Sequence, residues 1–103
     1  VSKYKAKPTV IDGIRFASKA EARRYCDLKL LERKGTIADL KTQVAYPIHV
    51  AGIKVGKYLA DFVYTEGGEM KVEDVKGVRT SLYRFKKRCV EAEHKITIIE
   101  VAA

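Results

Sequence analysis

Between residues 58 and 76 the chain reads YLADFVYTEGGEMKVEDVK, two β-forming runs on either side of Gly67-Gly68. A Gly-Gly pair accepts the positive φ that a two-residue hairpin turn needs at both central positions. The turn fixes a register. With Gly67 and Gly68 as the loop, Glu66 faces Glu69, and counting back sets Asp61 opposite Asp74. Alternation then puts Leu59, Asp61 and Val63 on the face shared by Met70, Val72, Asp74 and Lys76, with Glu73 turned to the other side. Opposed side chains on neighbouring strands have Cβ atoms about 4.5–5.5 Å apart, where two carboxylates repel unless positive charge lies between them.

A divalent cation is one source of that charge. Mg²⁺ takes oxygen ligands and is commonly held by one or two carboxylates together with water and substrate phosphate, which Asp61 and Asp74 suit. Lys76, two residues beyond Asp74 on the same face, adds an ammonium able to orient an attacking water or offset charge in a phosphorane-like transition state. The plainer alternative is a solvated hairpin face on which Lys76 partners two ordinary surface acids. Against that stands the position of both acids inside apolar runs.

The rest of the chain is consistent with one domain spanning residues 1–103. Its length and 47% hydrophobic content suffice for a single core. Residues 1–8 are basic and end in Pro8, which suits a loosely held arm. In TVIDGIRF the Asp12-Gly13 pair predicts a short hairpin. Ser18 and Glu21 then form the S-x-x-E pattern of a capping box before a helix that Gly35 ends, with Ala22, Tyr25, Cys26, Leu28 and Leu31 spread over a wide apolar arc. Residues 37–50 are β-rich, and Pro47 among them argues for an edge or a bulge; AGIKVG is a turn or short return strand. From Val78 to about Glu93, Val78, Leu82, Phe85, Cys89 and Ala92 recur at helical spacing as an apolar stripe. ITIIEV closes the chain as a buried strand. The predicted order is β-hairpin-α-β-β-β-α-β.

Twenty-one Lys and Arg against 13 Asp and Glu give a net charge of +8, which favours polyanions such as nucleic acid or an anionic membrane surface. No run of about 18 apolar residues and no apolar leader is present, so neither membrane insertion nor export is expected, and the expected compartment is cytoplasmic. Cys26 and Cys89 lack CxxC spacing and read as buried reduced thiols; with His49 and His94 they would make a zinc site only if four scattered ligands converged. On the second helix, Arg79, Tyr83 and Lys86 fall at i, i+4 and i+7, away from the apolar stripe. There they suit phosphate contacts, with Tyr83 stacking on a base. Arg23 and Arg24 in the first helix and Lys3, Lys5 and Lys7 in the arm extend that track; a solvated helix face is the plain alternative.

Asp61 in YLADF, Asp74-Val75-Lys76 in VEDVKG and Glu21 in an upstream helix together resemble the PD-(D/E)XK nuclease superfamily. SKAEARRY, LKTQ, ADFVY and VEDVKG, in that order, are similar to a group of short phage and prophage proteins catalogued as a domain of unknown function and assigned to that superfamily. The likeness spans roughly residues 4–101. It implies an α/β, restriction-endonuclease-like core with a central mixed sheet flanked by helices, and hydrolysis of DNA phosphodiester bonds with Mg²⁺, for which Mn²⁺ substitutes. It further implies that Asp61 and Asp74 bind the metal, that Lys76 positions water, and that Glu21 completes the site, a role that competes with helix capping. Gln43 matches a glutamine of the LxxQ segment. Ala60 stands where the superfamily name has a proline. The leading expectation is a phage-type endodeoxyribonuclease of a bacterial host cell, acting on duplex or branched DNA such as recombination intermediates. Junction resolution would require a symmetric homodimer, whereas nicking or flap cleavage would not. A non-catalytic DNA-binding module with a structural acid pair and a structural phage protein with an incidental basic surface are the competing expectations.

Overall fold

The computed structural model describes residues 7–103. Strands β1 (Thr9–Ile11) and β2 (Ile14–Phe16) form a small hairpin that leads into helix α1 (Lys19–Arg33). Strands β3 (Ala38–Val50), β4 (Ile53–Glu66) and β5 (Glu69–Lys76) follow, then helix α2 (Ser81–His94) and strand β6 (Ile98–Ala102). The main sheet runs β3-β4-β5-β6, antiparallel except for the parallel β5·β6 pair that α2 connects. This is the mixed sheet flanked by two helices that the sequence predicts, in the predicted order.

Turn chemistry explains the hairpins. Asp12-Gly13, Ala51-Gly52 and Gly67-Gly68 all carry positive φ at both positions, the requirement of the primed turn whose twist matches the flanking strands. AGIKVG is therefore a turn running straight into β4, which continues unbroken from Ile53 through the whole of YLADFVYTE. Pro47 lies on β3, an edge strand, next to a register shift between Ile48 and His49. Its carbonyl and the His49 N–H are engaged by His94 and Glu93, so the end of α2 ties down that edge.

Each helix covers one face of the sheet. Ala22, Tyr25 and Leu28 of α1 pack with Phe16, Phe62, Tyr64 and Val75; Tyr83 and Val90 of α2 pack with Ile48, Tyr58, Val63, Val72 and Ile98. Here α2 departs from its sequence pattern. Val78, Leu82 and Phe85 are 62%, 62% and 65% exposed, and the buried face is formed by Tyr83 and Val90 instead. Thr80, not Val78, sets the helix start, its side chain accepting from the Tyr83 N–H. Cys26 is exposed and Cys89 half-buried, which corrects the expectation of buried thiols, and both are free.

Candidate active site

The β4·β5 ladder runs from Glu66↔Glu69 back to Phe62↔Glu73 and stops. Beyond it, Asp74, Val75 and Lys76 pair with β6, while the upstream part of β4 pairs with β3. The β4·β5 pairing ends one position before Asp61 and Asp74, which sit in the fork where the two central strands part. The turn predicts their proximity correctly, but they are not a laddered pair. Asp61 also interrupts the pleat. Tyr58 and Ala60 belong to the α2-side cluster and Phe62 and Tyr64 to the α1-side cluster, although residues two apart on a regular strand share a face. Opposite the break stands Gln43 with φ +52, skipped by a ladder that passes from Val44↔Ala60 to Thr42↔Phe62. The Gln43 side chain donates to the Arg15 carbonyl at 3.2 Å, giving this residue a local role in joining the opening hairpin to the sheet.

The two carboxyl groups meet in the fork. Asp61 Oδ2 accepts the Val75 N–H at 2.8 Å. Its pKa is pushed up to about 8, first by burial and then by the Asp74 carboxylate beside it, with Glu21 adding further negative charge. Asp74, 2% exposed, accepts from the Tyr58 hydroxyl at 2.8 Å and lies 3.4 Å from Lys76 Nζ. That ammonium also sits 4.4 Å above the centre of the Tyr83 ring. Lys76 is thus held from two sides, by charge and by the ring's negative face.

Glu21 is brought toward the same place from α1. Ser18 Oγ accepts the Glu21 N–H at 3.1 Å, so half of the expected capping box is formed. The Glu21 carboxyl has a raised pKa, chiefly from burial; the Ala17 amide opposes this, Asp74 adds to it and Lys76 opposes it. Its charge is felt by the fork, yet among the described residues no three His, Cys, Asp or Glu side chains are grouped to hold a metal ion. That also disposes of zinc held by Cys26, Cys89, His49 and His94. The donors in the fork nonetheless fit a hard divalent ion, since two adjoining carboxylates must share either a proton or a cation, and Mg²⁺ needs no more than one or two protein oxygens.

The predicted nucleic-acid contacts divide. Arg24 is committed to the protein: its guanidinium grips Glu73 at 2.8 and 2.6 Å, and Tyr64 donates to the same carboxylate. Glu73 is 1% exposed, so Arg24 neutralises a buried charge and is not available as a phosphate ligand. Tyr83 is buried, with its hydroxyl on Glu100 at 2.8 Å, which rules out stacking on a base from the helix surface. Arg79 also pairs with Glu100 at 2.8 Å but remains half-exposed. Arg23 and Lys7 are exposed and Lys86 is half-buried at the rim of a cleft; Lys3 and Lys5 lie outside the described residues. Sequence reasoning missed Tyr58, the buried donor to Asp74, and the Arg24-Glu73 pair. An aromatic three residues before Asp61 is an ordinary strand residue until the fork aims it.

These features define an α/β domain whose central strands diverge around two adjoining carboxyl groups and a lysine. The chain belongs to the family described as "Protein of unknown function (DUF1064)", whose model matches residues 1–100. No curated protein and no solved structure matches it.

Proposed function

We propose that this protein is a Mg²⁺-dependent, phage-type endodeoxyribonuclease that hydrolyses phosphodiester bonds in duplex or branched DNA, Mn²⁺ replacing Mg²⁺. The observation that carries this is the fork: Asp61 and Asp74 adjoin where β4 and β5 part, with Lys76 Nζ 3.4 Å from Asp74. Asp61 and Asp74 would hold the ion, with Glu21 near enough to bias it electrostatically. Bound there, the ion would polarise a phosphoryl oxygen and acidify its water. Tyr58 fixes the Asp74 carboxylate by donating to Oδ2, leaving its other oxygen for the site. Lys76, restrained between Asp74 and the Tyr83 ring, presents an ammonium that orients the incoming water or donates to a non-bridging phosphate oxygen. Exposed Arg23 and Lys7, with Lys86 and the outer part of Arg79, supply the backbone contacts.

A second reading, a DNA-binding module whose acid pair is only structural, is favoured by the fact that, among the described residues, no third carboxylate joins the group. Supercoiled plasmid incubated with Mg²⁺ separates the two. The nuclease reading expects nicking or linearisation that disappears in Asp74→Ala and falls by about 10²-fold or more in Lys76→Ala. Protein that binds the plasmid and leaves it intact with either Mg²⁺ or Mn²⁺ refutes the enzyme.

A further inference from the structure

The cleft beside Lys76 shares Tyr58, Lys76, Tyr83 and Lys86 with the proposed site, but its leucines have no part in the chemistry above. It opens between the diverged stretch of β4 and the start of α2, encloses about 360 Å³, and sets Leu59 and Leu82 among Lys57, Lys76 and Lys86. Leu59 and Leu82 are 51% and 62% exposed. Among the described residues no carboxylate lines the cleft. Tyr58 and Tyr83 also line it, their ring centres 6.4 Å apart.

An apolar wall rimmed by ammonium groups suits a ligand with one flat, weakly polar part and one anionic part. A nucleotide has that division, and the volume falls in the range of about 300–1,000 Å³ usual for small-ligand pockets. A base stacked and paired within duplex DNA cannot lay its face on such a wall, whereas an unpaired base can. We infer that the cleft receives an unpaired nucleotide adjoining the cleaved bond, so that the substrate class is DNA with a single-stranded nucleotide at a branch, flap or gap. This rests on the nuclease reading and narrows it. A second copy of the chain on the same face is a poorer match. Leu59 and Leu82 are two exposed side chains where a stable dimer needs about 800 Å² from each partner, and a two-fold contact would bring lysine rims together.

The test measures binding by fluorescence anisotropy of flap DNA and uninterrupted duplex of equal length, with Ca²⁺ replacing Mg²⁺ to limit turnover. Wild-type protein is expected to prefer flap DNA by about tenfold, the scale of one base stacked on a protein surface. The double variant Leu59→Ser/Leu82→Ser, altered only at exposed positions, should lose the preference while keeping its duplex affinity, and Arg88→Ala, outside the cleft, should keep both. Equal wild-type affinities, or a preference that survives in the double variant, overturn the inference. Sedimentation run alongside would give the face to a second copy if the double variant broke a dimer without changing the preference. Cleavage of both DNAs alike in Mg²⁺ defeats the nucleotide cleft alone; failure to bind or cut either DNA defeats the nuclease reading with it.

Discussion

At Asp61, burial and the adjoining Asp74 both penalise the ionised carboxyl, and the Val75 N–H only partly offsets them. An unfolded chain has neither penalty and ionises near the usual aspartate value of about 4, whereas the folded chain keeps the proton to about pH 8. Between those limits the unfolded state binds fewer protons, so the stability of metal-free protein should fall as pH rises from about 4 to about 8 and then level off. Calorimetric Tm values across that window check the sign, and Asp74→Asn should flatten the slope by removing the second-largest cause. Arg24 makes a different demand. Truncating it in Arg24→Met strands the Glu73 charge inside the protein and should cost about 3–5 kcal/mol in urea unfolding, while adding Glu73→Gln should recover part of the loss.

The elements are held in place by their ends. Gly67-Gly68 sets the β4·β5 register, and the register sets which two acids reach the fork. Ala51 is the weak point among the turns, because it holds φ +51 with a Cβ that disfavours the left-handed region. Ala51→Asn keeps the primed turn with a residue that tolerates it and should raise stability by about 0.5–1 kcal/mol. For α2 the controlling residue is Thr80. Removing its cap in Thr80→Ala should cost about 1 kcal/mol by thermal unfolding. Because the helix begins there, the same change should loosen Tyr83 beneath Lys76 and lower any Mg²⁺-dependent cleavage by more than the stability loss explains.

For the whole molecule the dominant facts are a net charge of +8 and two carboxyl groups gathered in one fork beside Lys76. Polyanion binding should be strongly salt-dependent, log K falling with log salt by about 0.9 for each phosphate neutralised on duplex DNA. Titrations at several NaCl concentrations give that slope, and Lys86→Ala should reduce it by about one contact. Mg²⁺ bound in the fork should raise Tm by mass action, more at pH 8 than at pH 5, since protons and the ion compete for the same carboxyls. Neither helix, nor any other among the described residues, is long and apolar enough to cross a bilayer.

Much of this architecture was legible locally. Gly67-Gly68, Asp12-Gly13 and the Ser18 cap act over a few residues, and short-range backbone preferences determined the hairpins, the start of α1 and the approach of Asp61 to Asp74. The sequence stripe of α2 misled because Val78, Leu82 and Phe85 match helical periodicity as well as Tyr83 and Val90 do. Which face is buried depended on the sheet it meets, where Tyr83 finds Glu100 and Val90 finds the core. Likewise Arg24 and Glu73 are 49 residues apart, and only the packing of α1 on the sheet turned a supposed phosphate ligand into a buried ion pair. Local backbone chemistry is written in the chain, whereas the end of the β4·β5 ladder before Asp61 and Asp74, and the cleft lined jointly by β4, β5 and α2, exist only once elements distant in sequence are assembled.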